Sequence, residues 1–340
     1  MGLPTMARAG KRNPARSPHR TRRPSSGTSP RRRLARRERI AVAVRRDWML
    51  WLFALPGMTL ILLFQYMPLA NNVIAFQDYL PFLGIAGSPW VAFDNFSVIT
   101  SGDPAFVNAL TNTLLITLVQ TVFVFPAPIA MALLLNSLVS ERIKRSIQSV
   151  LYLPHFLSWV IVVSVFQQVL GGSGMINNFL RSRGFDALDI IGNPDAFLAL
   201  ITSQVIWKDT GWATILFLAV LAGIPSELYE ASSLDGAGRM RQMWHVTLPG
   251  LRAIIILLLI LRLGDALTVG FEQIILLQPA VGRDVSEVLD TYVYNYGVLG
   301  GNWGVSAAVG LVKGVVGVVL VLGANKLAHI FGEEGVYRRG

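Results

Sequence analysis

Six long apolar blocks alternate with polar connections along this chain, at 49–69, 106–135, 150–170, 197–223, 252–269 and 305–326. A helix rises about 1.5 Å per residue and the hydrocarbon core of a bilayer is about 30 Å thick, so about 20 mainly apolar residues cross it once. Each block approaches or exceeds that length. Each is expected to be helical, because an isolated strand would leave its backbone N–H and C=O groups unpaired in lipid. The pattern predicts an all-α integral membrane protein of six transmembrane helices. Pro126 and Pro128 fall inside the second block and predict a kink there, read either as a packing feature or as a gate.

The connections set the expected orientation, because cytoplasmic loops carry an excess of Lys and Arg. One set is basic: the N-terminal segment, the 136–149 connection with Arg142, Lys144 and Arg145, the 224–251 connection with Arg239 and Arg241, and the C-terminal end with Lys326, Arg338 and Arg339. The opposite set is poor in cations. Residues 70–105 contain no Lys or Arg, and the 171–196 and 270–304 connections carry only Arg181, Arg183 and Arg283. Both termini are therefore expected in the cytoplasm.

Composition agrees with a bilayer as solvent: 53% of the residues are hydrophobic and 15% charged, and the mean hydropathy is +0.51. The net charge of +10 points at first to nucleic acid, but its location argues otherwise. Residues 1–46 hold 15 of the 30 Lys and Arg and one acid, Glu38, so this segment carries +14 and the remainder −4. Its Pro, Ser and Arg content lacks the apolar residues that would offset ordering entropy, and it reads as a disordered cytoplasmic tail with a topogenic or lipid-contacting role. No aromatic interleaving or folded motif supports nucleic-acid binding. The expected organisation is this tail, a six-helix permease domain over 47–332, and a short tail over 333–340. No small-residue cleavage site follows the first apolar block, which reads as a retained span. Cysteine is absent, which removes disulfides and thiol chemistry.

The 224–251 connection is the most informative stretch. Pro225 and Ser226 form a helix start, and Glu227 and Glu230 lie in its first turn, where carboxylates favour the positive end of the helix dipole. Leu228, Ala231 and Leu234 recur at three-residue spacing and give one apolar face. Gly236 and Gly238 are expected to permit the left-handed turn that stops the helix. Val246, Leu248 and Pro249 then lead into the fifth span. The predicted object is a short amphipathic helix beneath the membrane.

Here the chain resembles the permease subunits of binding-protein-dependent ABC importers, whose cytoplasmic signature is Glu-Ala-Ala, three residues, Gly, nine residues, Ile, one residue, Leu-Pro. Glu230, Ala231, Ser232, Gly236, Val246, Leu248 and Pro249 stand at that spacing, departing at Ser232 for Ala and Val246 for Ile. The resemblance implies a type I, MetI-like importer bundle in a bacterial plasma membrane. It also implies that this loop couples to a separate ATPase through Glu230, Ala231, Ser232, Asp235, Gly236, Leu248 and Pro249. A second resemblance, carried by Pro56-Gly57, Tyr66, Pro68, Ile74 to Tyr79, Pro81-Phe82 and Gly87 to Trp90, is to the polysaccharide and oligosaccharide branch of sugar permeases, relatives of the maltose-importer permease. It implies a carbohydrate solute. The implied partners are a second permease subunit in a heterodimer, two ABC ATPase subunits and an extracellular solute-binding lipoprotein. No nucleic acid, cofactor or metal is implied.

Polar groups within spans usually face a bundle interior or water. Lys208 and Asp209 lie near the middle of the fourth span, beside Trp207 and Trp212. They read either as part of a solute pathway or as structural contacts, each needing its own partner. Asn112, Gln120, Gln167 and Gln168 are further amide candidates for sugar hydroxyls, or glue between helices; Asn112 and Gln168 join Trp207, Lys208 and Asp209 as the pathway candidates. Asp265 in the fifth span has no second acid at helical spacing and does not form a proton relay. His19, His155, His245 and His329 show no metal-ligand spacing.

No Gly-x-x-x-x-Gly-Lys-Ser/Thr loop occurs, so ATP hydrolysis is expected on a partner and no catalytic residue is assigned. Two other classes stand beside the permease reading. A secondary transporter or channel working alone predicts paired midplane acids, and an intramembrane enzyme predicts a Ser, Asp and His constellation that the spans do not present.

Overall fold

The computed structural model describes residues 47–138 and 140–330. The expectations for the 1–46 and 333–340 tails lie outside the described residues. The chain divides into two units between Pro68 and Leu69.

In the first unit, helix α1 (Trp48–Ile61) continues through a π-helical segment, Leu62–Tyr66. None of the residues of either segment is buried against protein.

The second unit is a helical bundle. Its principal helices are α2 (Pro104–Phe123), α3 (Pro126–Asn136), α4 (Glu141–Tyr152), α5 (Trp159–Leu170), α6 (Met175–Ser182), α7 (Pro194–Leu221), α8 (Ser226–Leu234), α9 (Leu248–Gly264), α10 (Phe271–Val281) and α11 (Trp303–Ile330). Local chemistry sets several of their ends. Asp103 accepts from the N–H of Phe106 at 2.9 Å and Pro104 opens α2. Asn193 accepts from the N–H of Asp195 at 2.9 Å and Pro194 opens α7. In both, a side-chain oxygen satisfies an orphan donor and proline occupies a position whose N–H has no partner to lose.

Among the described residues, five helical stretches are long and apolar enough to cross a membrane: Trp48–Phe76, Pro104–Asn136, Trp159–Ser182, Arg239–Gly264 and Trp303–Ile330. A sixth is counted when α7 and α8, which meet at 73°, are taken as one broken span. Bundle packing has the sense expected in lipid. On α2 the buried row includes Ala109, Thr113, Ile116, Thr117 and Gln120, while Leu114, Leu115, Leu118 and Val122 are exposed. On α7, Gln204, Lys208 and Thr214 are buried. Apolar residues outside and small or polar residues between helices are the arrangement of a membrane bundle, where lipid solvates leucine as well as a core does. An apolar cluster of Ile116, Val163, Phe197, Ile201, Ile274 and Leu277 ties α2, α5, α7 and α10 together.

Where the second-span kink is expected, regular helix is interrupted at Val124 and Phe125, which keep helical backbone angles, and α3 restarts at Pro126. The third span differs from the expected 150–170. Val150 to Tyr152 end the polar, amphipathic α4, a 3-10 turn follows at Leu153–Phe156, and α5 begins at Trp159. Pro154 cannot donate to the α4 ladder, and Ser158 caps α5 by accepting from the N–H of Ile161 at 3.4 Å. The fifth span begins at Arg239, earlier than the expected 252, and ends at Gly264, because Arg239, Arg241 and Gln242 extend the helix on its polar side.

Candidate functional site

The loop singled out by its sequence folds as a helix followed by a fixed turn. Glu227 sits in the first turn of α8. At the other end, Gly236 takes φ +76°, its N–H reaches Ser233 O at 3.0 Å, and the N–H of Ala237 reaches Ser232 O at 2.9 Å. These two bonds form a Schellman stop, which needs a left-handed residue at Gly236. Gly238 does not share that role: with φ −72° it precedes the next helical turn, Arg239–Gln242.

A strap holds α8 against the chain that follows. Gln242 Nε2 donates to Tyr229 O at 3.2 Å, Ser232 Oγ at 3.1 Å and Ser233 Oγ at 2.8 Å. The Tyr229 hydroxyl lies 3.2 Å from Thr247 Oγ1. The segment Met243–Thr247 is π-helical and leads into α9 with Pro249 in its first turn. The opposite face of α8 is open. Leu228 is 51% exposed and Leu234 90%, and Glu230, Ala231, Asp235 and Pro249 are exposed with them. Ser232 and Leu248 are half-buried. Met240 and Trp244, which no motif flagged, extend the exposed apolar surface.

The candidate polar residues within spans separate into two kinds. Lys208 Nζ donates to His155 O and Leu157 O, each at 2.7 Å, and lies 5.6 Å from the Trp159 ring centre. It thereby satisfies carbonyls of the turn between α4 and α5, where helical pairing stops. Asp209 Oδ1 meets His155 Nδ1 at 2.9 Å, and the His155 ring stacks on Trp212 with centroids 4.7 Å apart. Asn112 Nδ2 donates to Asp284 O and Glu287 O, each at 3.0 Å. Trp207 meets Phe166 edge-on and remains 42% exposed. Gln168 is exposed, in a polar pocket with Gln167, Ser164 and Asp189. Lys208 and Asp209 are thus brought together with the turn that precedes α5, and Trp207 with α5 itself, which also carries Gln168, whereas Asn112 stands on α2 against the 284–287 segment.

Two membrane-embedded cations were not anticipated. Arg262 on α9 donates to Gln120 Oε1 on α2 at 2.9 Å, and Lys313 on α11 pairs with Asp290 Oδ1. A positive charge inside an otherwise apolar block was the available signal for both. Gln242 offered none, since nothing in its local sequence distinguishes it from a surface glutamine.

Comparison with known proteins places this geometry. Residues 124–331 match the family model described as binding-protein-dependent transport system inner membrane component. The polygalacturonan/rhamnogalacturonan transport system permease protein YteP of Bacillus subtilis (strain 168) is 45% identical over 303 residues, which cover 89% of this chain and 94% of that protein. Two structures of a bacterial alginate transporter superpose with TM-scores of 0.79 at 34% identity, covering 87% and 88% of this chain and all of the matched chain. One is described as a bacterial ABC transporter involved in import of the acidic polysaccharide alginate, the other as in complex with an alginate pentasaccharide-bound periplasmic protein. The chain belongs to the family of binding-protein-dependent transport system inner membrane components.

Proposed function

We propose that this chain is one of two permeases of an ATP-driven importer for a sugar or oligosaccharide in a bacterial plasma membrane, and that α8 is its join to a separate ATPase. The observation that carries this reading is the two-sidedness of α8. Its inner side is bound to Gln242 and Thr247, while Leu228, Ala231 and Leu234 lie on the other side and are exposed. A short helix exposing this much apolar surface gains by covering it. Because α8 is joined through Gly223 to Pro225 to α7 and through the Gln242 strap to the helix entering α9, a force on its outer face reaches two spans together.

Carbohydrate as the solute is supported by a relative named for polygalacturonan/rhamnogalacturonan transport and by the alginate transporter. The alginate-bound periplasmic protein in one of them supports an external solute-binding partner here, and the family's architecture supports a second permease and two ATPase subunits. In the pathway, exposure supports Gln168, Trp207 and Asp209 as residues the solute passes. Lys208, bonded to two backbone carbonyls, holds the wall beside Trp207 and Asp209, and Asn112, bonded to two others, ties α2 to the 284–287 segment.

The test is crosslinking in cells taking up the nutrient. Ala231→Cys should form an adduct with a cysteine in the ATPase, and Glu230→Ala should abolish uptake while the protein stays in the membrane. Normal uptake by Glu230→Ala, together with no adduct at position 231, would overturn the coupling role.

A further inference from the structure

At the end of α2 remote from α8, a pocket of about 320 Å³ lies among Asn108, Arg283, Asp284, Glu287, Tyr292 and Tyr296. That size is at the low end of ligand clefts, which run from about 300 to 1,000 Å³. Tyr292 is only 1% exposed, and among the described residues its hydroxyl has no hydrogen-bond partner. A buried hydroxyl left without a partner is destabilising. The ring cannot readily swing to find one, since it packs edge-on against Phe106 at 6.0 Å and stacks on Tyr296 at 4.8 Å. Burial, then the nearby Asp103, Tyr296 and Glu287, push its phenol up to about 12, so it remains an O–H donor.

The neighbours complement that donor. Glu287 is 6% exposed; one of its oxygens accepts from Asn295 at 2.9 Å and the other lies 3.7 Å from Arg283 Nε, which leaves lone-pair capacity on the carboxylate. Asn108 donates to Asp284 O, so its own amide oxygen is available as an acceptor. Arg283 is 62% exposed, and Tyr296 presents a partly exposed ring. Donors, acceptors and an aromatic face within one ring's reach suit vicinal hydroxyls, each of which both donates and accepts. The charge balance separates neutral from acidic sugars. One cation faces the carboxylates of Asp284 and Glu287, so a uronate carboxylate meets net negative charge.

We infer that this pocket is a subsite for one neutral pyranose ring of the transported carbohydrate, with Tyr292 donating to a ring hydroxyl, Glu287 accepting from its neighbour and Tyr296 under the ring face. The inference rests on the carbohydrate-importer reading above and adds a place and a sugar class to it. Its test is saturation-transfer NMR on the assembled transporter in nanodiscs, without the solute-binding protein, using maltotriose, xylotriose, galactotriose and trigalacturonate as probes. At least one neutral trisaccharide should bind more tightly than trigalacturonate. Tyr292→Phe, which keeps the ring packing, should weaken that binding by about fivefold, the loss of one hydrogen bond. Arg283→Gln, at an exposed position, removes the pocket's cation and should weaken trigalacturonate further relative to the neutral probes. Binding unchanged in both variants, preference for trigalacturonate, or no binding of any probe to the unaltered transporter would overturn the subsite. The importer reading is judged separately, by ATP-driven uptake through the complete assembly.

Discussion

The ammonium of Lys208 lies 2.7 Å from the carbonyl oxygen of Leu157, in the turn that leads from α4 into α5. The same nitrogen reaches His155 O at 2.7 Å. A turn between two helices leaves carbonyls without ladder partners, and a buried cation needs oxygen partners just as strongly. Each therefore resolves the other's deficit, and the 3-10 turn at Leu153–Phe156 is fixed to α7 as a result. Lys208→Met keeps the length of the side chain and removes the donor. It should destabilise the protein by about 2–5 kcal/mol, from two carbonyls left without partners. Unfolding in mixed detergent micelles measures this, and a variant as stable as the parent would show that the turn holds itself.

A second contact at the same join is steric. A Cβ added at Gly211 would stand 2.0 Å from the carbonyl oxygen of Leu151, which is backbone and cannot rotate away. Gly211→Ala should force α4 from α7 and lower stability by about 3 kcal/mol or more, the upper end of overpacking. Gly314→Ala is the comparison, because a Cβ there meets nothing within 4 Å. It should be close to neutral in the same unfolding measurement.

These contacts mark where sequence reasoning succeeded and where it stopped. The spans were legible because an apolar run of bilayer length has few other uses, and α8 was legible because Pro225 and Gly236 punctuate it. The third span was misplaced because hydropathy reads Val150 to Tyr152 as continuous with Trp159 to Leu170, although Pro154 and Ser158 between them carry the stop and start signals. Partners across the bundle were not legible at all. Arg262 and Gln120 are 142 positions apart, and only the folded bundle brings them together. Likewise the three bonds from Gln242 follow from how the chain turns at Gly236, not from any local pattern.

That strap can be tested apart from the docking face. Gln242→Ala removes donors to Tyr229 O, Ser232 Oγ and Ser233 Oγ without altering the outward surface of α8. The two N–H donors of Gln242, shared among the three acceptors, contribute about 0.5–1.5 kcal/mol each, so α8 should loosen while the bundle stays folded. The expected outcome is retained crosslinking at position 231 with uptake reduced about tenfold or more, that is, a motor still attached but no longer pulling on α9. Parallel loss of crosslink and uptake would instead place Gln242 in forming the docking face itself.

Gly236 separates backbone from contact effects most cleanly. Its φ of +76° excludes most side chains, yet a Cβ built there meets nothing within 4 Å. Any penalty of substitution therefore arises from the left-handed backbone, about 1–2 kcal/mol for an ordinary L-residue and less for Asn, which tolerates that region. If the Schellman turn matters only by aiming α8, uptake should fall in the order Gly236→Asn, Gly236→Ala, Gly236→Val, following conformational strain. If a partner packs closely over the turn, Asn should be as damaging as Val, because both add bulk to a surface that is open in the isolated chain. Initial uptake rates of the three variants, normalised to protein in the membrane, distinguish the two outcomes. The graded order is expected, since the exposed leucines rather than the turn form the apolar surface to be covered.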